Sequence, residues 1–435
     1  MNRNAQALRA IVLGLFLTLG QLYVAVGLIA PEGPLAYRYT TLIQHDSYWF
    51  ANIVERGYGT ILPPIDHKIM EVSNVAFFPA YPAIAGALHH WFGVGTYHAL
   101  LFTAQAAAWG FWSYFFLFCN RWKVSPLLQF FGALAIVAHP TAFFLITGYS
   151  ESLFLMALFG FMYWSTAEGW AAKVLAGIHG ILMSATRIVG IPCAAYPVVR
   201  RVFERGWARL ANMRGWLREY TGSVGLMIVA MLGAIAFFLY CLLRWGQWNI
   251  YMLTQEAGWA IAPDYLAIFK PENYRWLVPP LNDPTQWSQM TMTVTALLFV
   301  AVALCELLLA IRRRVLASAV PSGHARRGHA SDPGAEDSAR YTNWQARMGF
   351  YFIAFVTYYV AVSGVASVQM ESMLRYQFCA HALIVLALLH FLAHFPTPSV
   401  LARAFGMAVV ALLSAAGLSL QGWWVWNFTR GDWVA

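Results

Sequence analysis

Apolar runs of helix length alternate along this chain with short polar stretches rich in arginine. An α-helix needs roughly 17–25 apolar residues to cross a bilayer. Read in those units, the chain predicts spans near 9–30, 97–119, 126–147, 150–167, 173–188, 189–200, 221–243, 290–311, 348–367, 376–394 and 400–421. The pattern predicts an all-α integral membrane protein, a polytopic helical bundle of about 10–11 transmembrane helices. The pair 173–188 and 189–200 is short for two crossings, and Arg187, Gly190 and Pro192 fall at its break. Broken helices in a membrane need protein or water to satisfy the freed backbone groups, so this break predicts a cavity.

One run decides the topology. Phe77 to Phe92 is apolar enough to span, but it contains Pro79, Pro82, His89 and His90. If it crossed, Arg121 to Lys123 would lie outside, against the rule that basic loops stay cytoplasmic. It is therefore predicted as an interfacial helix over 77–92. The first run follows Arg3 and Arg9, and Pro31 after Ala30 argues against signal cleavage. The expectation is a retained helix with a cytoplasmic N-terminus.

This layout divides the chain. Residues 1–200 form an N-terminal module with a first outer loop over 31–75, and 201–220 is a basic cytoplasmic loop. Residues 221–435 carry the remaining helices, an outer loop over 244–289 and a flexible cytoplasmic linker over 312–346. The linker expectation comes from its mixture of Pro, Gly, Ser and charge. No internal repeat of useful strength is visible.

Composition supports this layout: 60% of residues are hydrophobic, 11% are charged and mean hydropathy is +0.56. The net charge of +9 does not point to nucleic acid. Arg200 to Glu219 holds six Arg against two Glu, and Arg312 to Arg347 seven Arg against three acids, the distribution of cytoplasmic loops facing membrane lipids. The five cysteines lie in apolar runs without a C-x-x-C pair, which argues against a disulfide framework or a cysteine metal site. His45, His67, His89 and His90 make no recognised metal spacing, so no metal ligands are assigned; a divalent metal is compatible with the chain but not indicated. The sequon Asn427-Phe-Thr429 is assigned no role.

Candidate chemistry gathers in the outer segments. Asp46 opens the segment DSYWFANIVER, whose apolar positions recur at helical spacing. A carboxylate there suits a general base; equally, Asp at a helix start acts as a cap. Glu151 heads the span 150–167, either as a ligand to a polar substrate or as an acid complementing the helix dipole. Arg187 carries a charge inside a membrane segment, which is costly and calls for a cavity or a partner such as Glu151. A guanidinium suits phosphate because it presents forked donors and keeps its charge. Arg375, in the turn before span 376–394, is a second such candidate, and an interfacial snorkelling Arg is its ordinary alternative. The aromatic residues crowding 244–289, Trp259 among them, suit sugar stacking or an interfacial belt.

In chain order, Asp46, then Gly57-Tyr58, AFFPAYP (Ala76 to Pro82), GYSESLF (Gly148 to Phe154) and SATRIVG (Ser184 to Gly190) resemble the PIG-V family, GPI mannosyltransferase II and its prokaryotic relatives. These belong to the GT-C class of polytopic glycosyltransferases. The resemblance covers about the first half of the chain; beyond it only Gln255, Trp259 and Arg375 align. Where relatives commonly carry Trp-Asp, this chain has His45-Asp46. The resemblance implies a GT-C-like catalytic module over 1–200 and a polyprenyl-phosphate-linked mannose donor. It further implies inverting transfer to a glycan, glycolipid or protein acceptor, and a site facing periplasm, cell exterior or ER lumen. Carried over, it implies Asp46 as the catalytic carboxylate, with Glu151 and Arg187 lining the site; His45, Tyr149, Gln255, Trp259 and Arg375 are further candidates for binding the donor. The rival reading is a lipid or sugar transporter, or a flippase, with Arg187 as counter-charge in a central pathway.

Overall fold

A computed structural model describes residues 3–60, 73–205, 213–318, 333–394 and 399–434. His67, part of the first outer loop (61–72), part of the basic loop (206–212) and the middle of the expected linker (319–332) lie outside the described residues.

The described chain is an all-α bundle. Helix α1 (Arg3–Leu22) runs on into a π-helical turn (Tyr23–Ile29). Three short helices then occupy one end of the molecule: α2 (Leu35–Thr40), α3 (Asp46–Arg56) and α4 (Ala80–Phe92). The run 77–92, expected as an interfacial helix, is helical over Ala80–Phe92 as α4. The long elements follow as α5 (Thr96–Arg121), α6 (Pro126–Val137), α7 (Glu151–Trp164) and α8 (Trp170–Thr186). Two short pieces, α9 (Gly190–Cys193) and α10 (Tyr196–Arg205), lead to α11 (Met213–Trp245). Helix α12 (Ile250–Trp259) lies within the segment 244–289, and α13 (Pro284–Ser318) and α14 (Pro333–Val365) follow it. The bundle closes with α15 (Met373–Tyr376), α16 (Phe378–His394) and α17 (Val400–Phe428).

Among the described residues six helical stretches are long and apolar enough to cross a membrane: Asn4–Ile29, Tyr220–Trp245, Pro284–Leu308, Arg347–Val368, Met373–Ala393 and Val400–Phe428. They make the protein an integral membrane protein by length and composition. Leu412, Leu413, Phe405 and Leu401 of α17 are exposed, as are Leu297, Val300 and Leu304 of α13, and such faces suit hydrocarbon rather than water. Only 6% of the most apolar part of α17 is buried, against 61% for Met373–Ala393, so α17 is peripheral and α16 central.

Two expected spans take another form. The run 126–147 is not one crossing: α6 stops at Val137, and a 3-10 turn (Ala142–Leu145) carries the chain to α7. Pro140 lacks a backbone donor and its ring clashes with the preceding turn, so the helix cannot continue through it. The run 189–200 is likewise split into α9 and α10, with Pro192 and Pro197 punctuating it. Around the expected linker, helix persists to Ser318 and resumes at Pro333.

Without a hydrophobic drive between helices in lipid, close backbone approach supplies much of the packing. Helices α8 and α11 use it. A Cβ at Gly233 would collide with the Ile181 carbonyl oxygen, and opposite it Ser184 Oγ accepts a hydrogen bond from Ala234 N at 3.2 Å. The α5–α7 contact is aromatic instead: Phe111 and Phe118 meet Phe159 edge-on, centroids 5.0 and 6.2 Å apart. These contacts bring the N-terminus of α7 and the C-terminus of α8 to the end of the bundle that carries α2 to α4.

Candidate functional site

Four charges from four parts of the chain meet at that end. Asp46 is the first residue of α3, and its carboxylate does not cap the helix: Oδ2 accepts from Arg375 Nη1 at 2.8 Å. Arg375 Nε stands 3.5 Å from Glu151 Oε1, and the same oxygen pairs with Arg187 Nη1 at 2.7 Å. The result is an alternating row, Asp46, Arg375, Glu151, Arg187. Alternation lets each buried charge be compensated by a neighbour, without which a charge would not persist here.

Local structure explains the convergence. Glycine at 148 lets the GYSES turn lie against α3: Gly148 N donates to Leu42 O at 3.2 Å, and a Cβ there would collide with Ile43 and Ser47. This sets Tyr149 and Glu151 beside Asp46. Arg187 sits where α8 ends, in extended backbone at φ −154° and ψ 147°. The helix break thus projects a guanidinium toward Glu151. Arg375 is pinned from both sides: Thr141 Oγ1 donates to Leu374 O at 3.1 Å, and Gln377 bonds His139 at 2.6 Å and Thr295 at 3.1 Å.

Backbone strain clusters on both sides of the Asp46–Arg375 pair. His45 has φ 47° and ψ −112°, while Gln369, Met370 and Ser372 have φ of 56°, 65° and 63°. Each costs of order 1–3 kcal/mol and persists only where the surroundings over-determine it, as functional sites do.

The two arginines differ in what remains available. Arg375 is 4% exposed and is occupied by Asp46, Glu151 and the Tyr376 hydroxyl at 3.2 Å. Arg187 is 21% exposed, lies over the Tyr376 ring at 5.1 Å, and has Glu151 as its ion-pair partner among the described residues. It retains donors for a further anion. Glu151 Oε2 and the Tyr149 hydroxyl are buried without hydrogen-bond partners. Burial, and then the Asp46 carboxylate, push the Tyr149 phenol well above its ordinary value, with Arg375 pulling the other way. It stays a proton donor at any physiological pH.

The remaining sequence candidates divide. His45 adjoins Asp46, but its ring turns to the segment after α17, Nε2 donating to the Asp432 carbonyl at 3.0 Å. Gln255 donates to Ala76 O at 3.0 Å, and Trp259 packs on Trp49 and Phe77, centroids 5.3 and 5.8 Å away. Trp259 thereby ties α12 to α3, and both residues tie it to the turn before α4.

Sequence reasoning missed Trp433, His139, Thr141 and Gln377. Only an intramembrane His beside Pro140 offered a signal. An apolar groove of about 480 Å³ between α3 and α4, lined by Ile53, Val54, Pro79, Pro82 and Trp91, includes none of the four charges. Among the described residues no group of three or more His, Cys, Asp or Glu side chains is placed to hold a metal.

Compared with known proteins, the sequence matches no family description and no curated protein. The PIG-V resemblance therefore rests on its motifs. Among solved structures the chain is similar to ArnT from Cupriavidus metallidurans bound to undecaprenyl phosphate, with 13% identity and a TM-score of 0.37. The similarity covers 88% of this chain and 77% of that one, and at such depth it bears on neither site nor reaction.

Proposed function

We propose that this chain is a GT-C membrane glycosyltransferase, a mannosyltransferase that uses a polyprenyl-phosphate-linked sugar as donor and inverts the anomeric centre. It crosses the membrane several times with its N-terminus in the cytoplasm, and its site faces the other side. The observation that carries this reading is the meeting of Asp46, Glu151, Arg187 and Arg375 in one partly open cluster. Attack on a sugar C1 needs a base at the acceptor hydroxyl and positive charge on the departing phosphate.

Each group has a role in that chemistry. Asp46, one-fifth exposed, takes the proton of the acceptor hydroxyl as its oxygen bonds to C1. The bond from C1 to the phosphate oxygen breaks, and polyprenyl phosphate leaves with the electron pair. Arg187, with donors free, binds that phosphate. Arg375 holds the Asp46 carboxylate in place through its 2.8 Å contact, a positioning role rather than the phosphate contact first expected for it. The orphaned Tyr149 hydroxyl and Glu151 Oε2 supply one donor and one acceptor for sugar hydroxyls.

The test is donor consumption. Purified full-length protein in lipid nanodiscs is incubated with undecaprenyl-phosphate mannose and a panel of glycolipid, glycan and peptide acceptors. Release of undecaprenyl phosphate in wild type, absent in Asp46→Asn, is the expected result. Inertness toward this donor and its glucosyl and galactosyl counterparts would overturn the reading.

A further inference from the structure

The segment after α17 reaches back to the four charges. Thr429 ends the helix, Gly431 turns the chain at φ +96°, and Val434 is buried in the same apolar cluster as Leu42, Ile43 and Phe428. The Asp432 carbonyl is held by His45. Between these anchors Trp433 meets the His45 ring edge-on at 5.0 Å, and the Arg375 guanidinium lies 5.8 Å from its ring. Since Arg375 also binds Asp46, the indole stands one side chain away from the candidate base. Trp433 is half-buried, so part of its surface remains open.

The hold on this segment is specific. His45 adopts its left-handed backbone immediately before Asp46, and its ring then bridges to a carbonyl 387 positions along the chain. A ring that only filled space would need neither the strain nor the hydrogen bond.

We propose that Trp433 is a sugar-recognition wall of the site, held by His45 acting as a positioning residue through Asp432. This rests on the glycosyl-transfer reading and names the part of the chain that recognises the sugar of the donor. The C–H face of a pyranose packs on the electron-rich face of an indole, and a ring with two torsions loses little freedom in doing so. Arg187 grips the phosphate, which every polyprenyl-phosphate ligand has; Trp433 meets the sugar, which only the donor has.

The experiment compares two lipids on the same full-length protein in nanodiscs, undecaprenyl phosphate and undecaprenyl-phosphate mannose, with binding as the readout. In wild type the mannose-bearing lipid binds more tightly. Trp433→Ala should weaken that lipid about tenfold and the sugar-free lipid less than about twofold, whereas Trp433→Phe keeps most of the difference. His45→Ala should narrow the same ratio. An equal loss for both lipids in Trp433→Ala, or no loss in either, would overturn the inference while leaving glycosyl transfer standing. Wild-type protein that binds neither lipid would instead refute the underlying reading and the inference with it.

Discussion

Among the described residues two buried arrays of opposite charges stand out, and they are built differently. In the interior of the bundle Arg347 of α14 grips Glu306 of α13 through two parallel contacts, Nε–Oε1 at 2.7 Å and Nη2–Oε2 at 3.1 Å. Both side chains are nearly closed off, at 3% and 11% exposure, and no polar atom of either is left without a partner. The outer row from Asp46 to Arg187 has contacts as short, but its two ends are about one-fifth exposed and its middle leaves Glu151 Oε2 and Arg375 Nε without hydrogen bonds. The first array is complete and joins two helices; the second has capacity left over and is open where a substrate could enter. Equal distances thus serve unequal purposes, and saturation and access separate them.

Exchanging the carboxylates one at a time sharpens this contrast. Asp46→Asn keeps the shape and one acceptor for Arg375 but removes the base, so transfer from the polyprenyl-phosphate donor should fall by about 10²–10⁴-fold in protein that still purifies as a folded monodisperse species. Glu306→Gln should do the reverse. It leaves a buried guanidinium half-compensated, lowering stability by about 3 kcal/mol, read as a lower unfolding temperature in detergent, with turnover per folded molecule unchanged. Replacing Glu306 and Arg347 together by Leu and Met should recover most of that loss, because a dry ion pair gains little over good packing. If Asp46→Asn proved as unstable as Glu306→Gln and equally active, the distinction between the arrays would collapse.

The two arrays were also unequally legible in the sequence. Apolar periodicity located helices because the requirement to cross about 30 Å of hydrocarbon is written in consecutive residues. It failed at 126–147, where Pro140 outweighs an otherwise unbroken apolar run, and at 189–200, where prolines divide a helix that the same count takes as whole. Asp46, Glu151, Arg187 and Arg375 were recognisable singly, since a charge near a membrane needs a reason. The Arg187–Glu151 pair was anticipated, but the Asp46–Arg375 pair was not, because those two residues are 329 positions apart and only the tertiary fold decides which guanidinium that carboxylate meets. Glu306 drew no attention at all: one acid in the run CELLLAI reads as the end of a span until Arg347 is seen opposite it. Trp433 drew no attention for a related reason, since nothing within the segment GWWVWNFTRGDW shows that it returns to the charges.

Within the outer row, the asymmetry between the arginines gives the next test. Arg187→Lys keeps the charge and loses the fork, so donor affinity should weaken by about tenfold while the Glu151 contact persists as a point-charge pair. Tyr149→Phe is milder. It removes one unpartnered donor without opening space, and a loss of about two- to fivefold in transfer, with stability unchanged or slightly raised, is expected. A larger fall in stability would mean that the hydroxyl is already satisfied in the resting protein.

The smallest effect belongs to the shortest of these contacts. Lys270 Nζ lies 2.6 Å from Asp264 Oδ2, closer than any pair in either buried array, yet Asp264 and Lys270 are solvated on the segment between α12 and α13. The hydrogen bond from Lys270, then that from the Leu266 amide, holds the Asp264 carboxyl below its ordinary value. A depressed carboxylate contributes stability above its unfolded value and loses it as pH falls through the folded one, so any contribution here is present at neutral pH and vanishes only in acid. Water and salt screen such a pair, and Lys270→Ala should move the unfolding temperature by less than about 2 °C at pH 7. Asp264→Ala should move it further, because that carboxylate also accepts from Leu266 N at 3.0 Å and orders the turn whose Asp264 N–H reaches Ser363 O at 2.8 Å. A Lys270→Ala effect as large as that of Glu306→Gln would show that proximity alone sets the strength of these pairs, and the division drawn from burial and saturation would have to be abandoned.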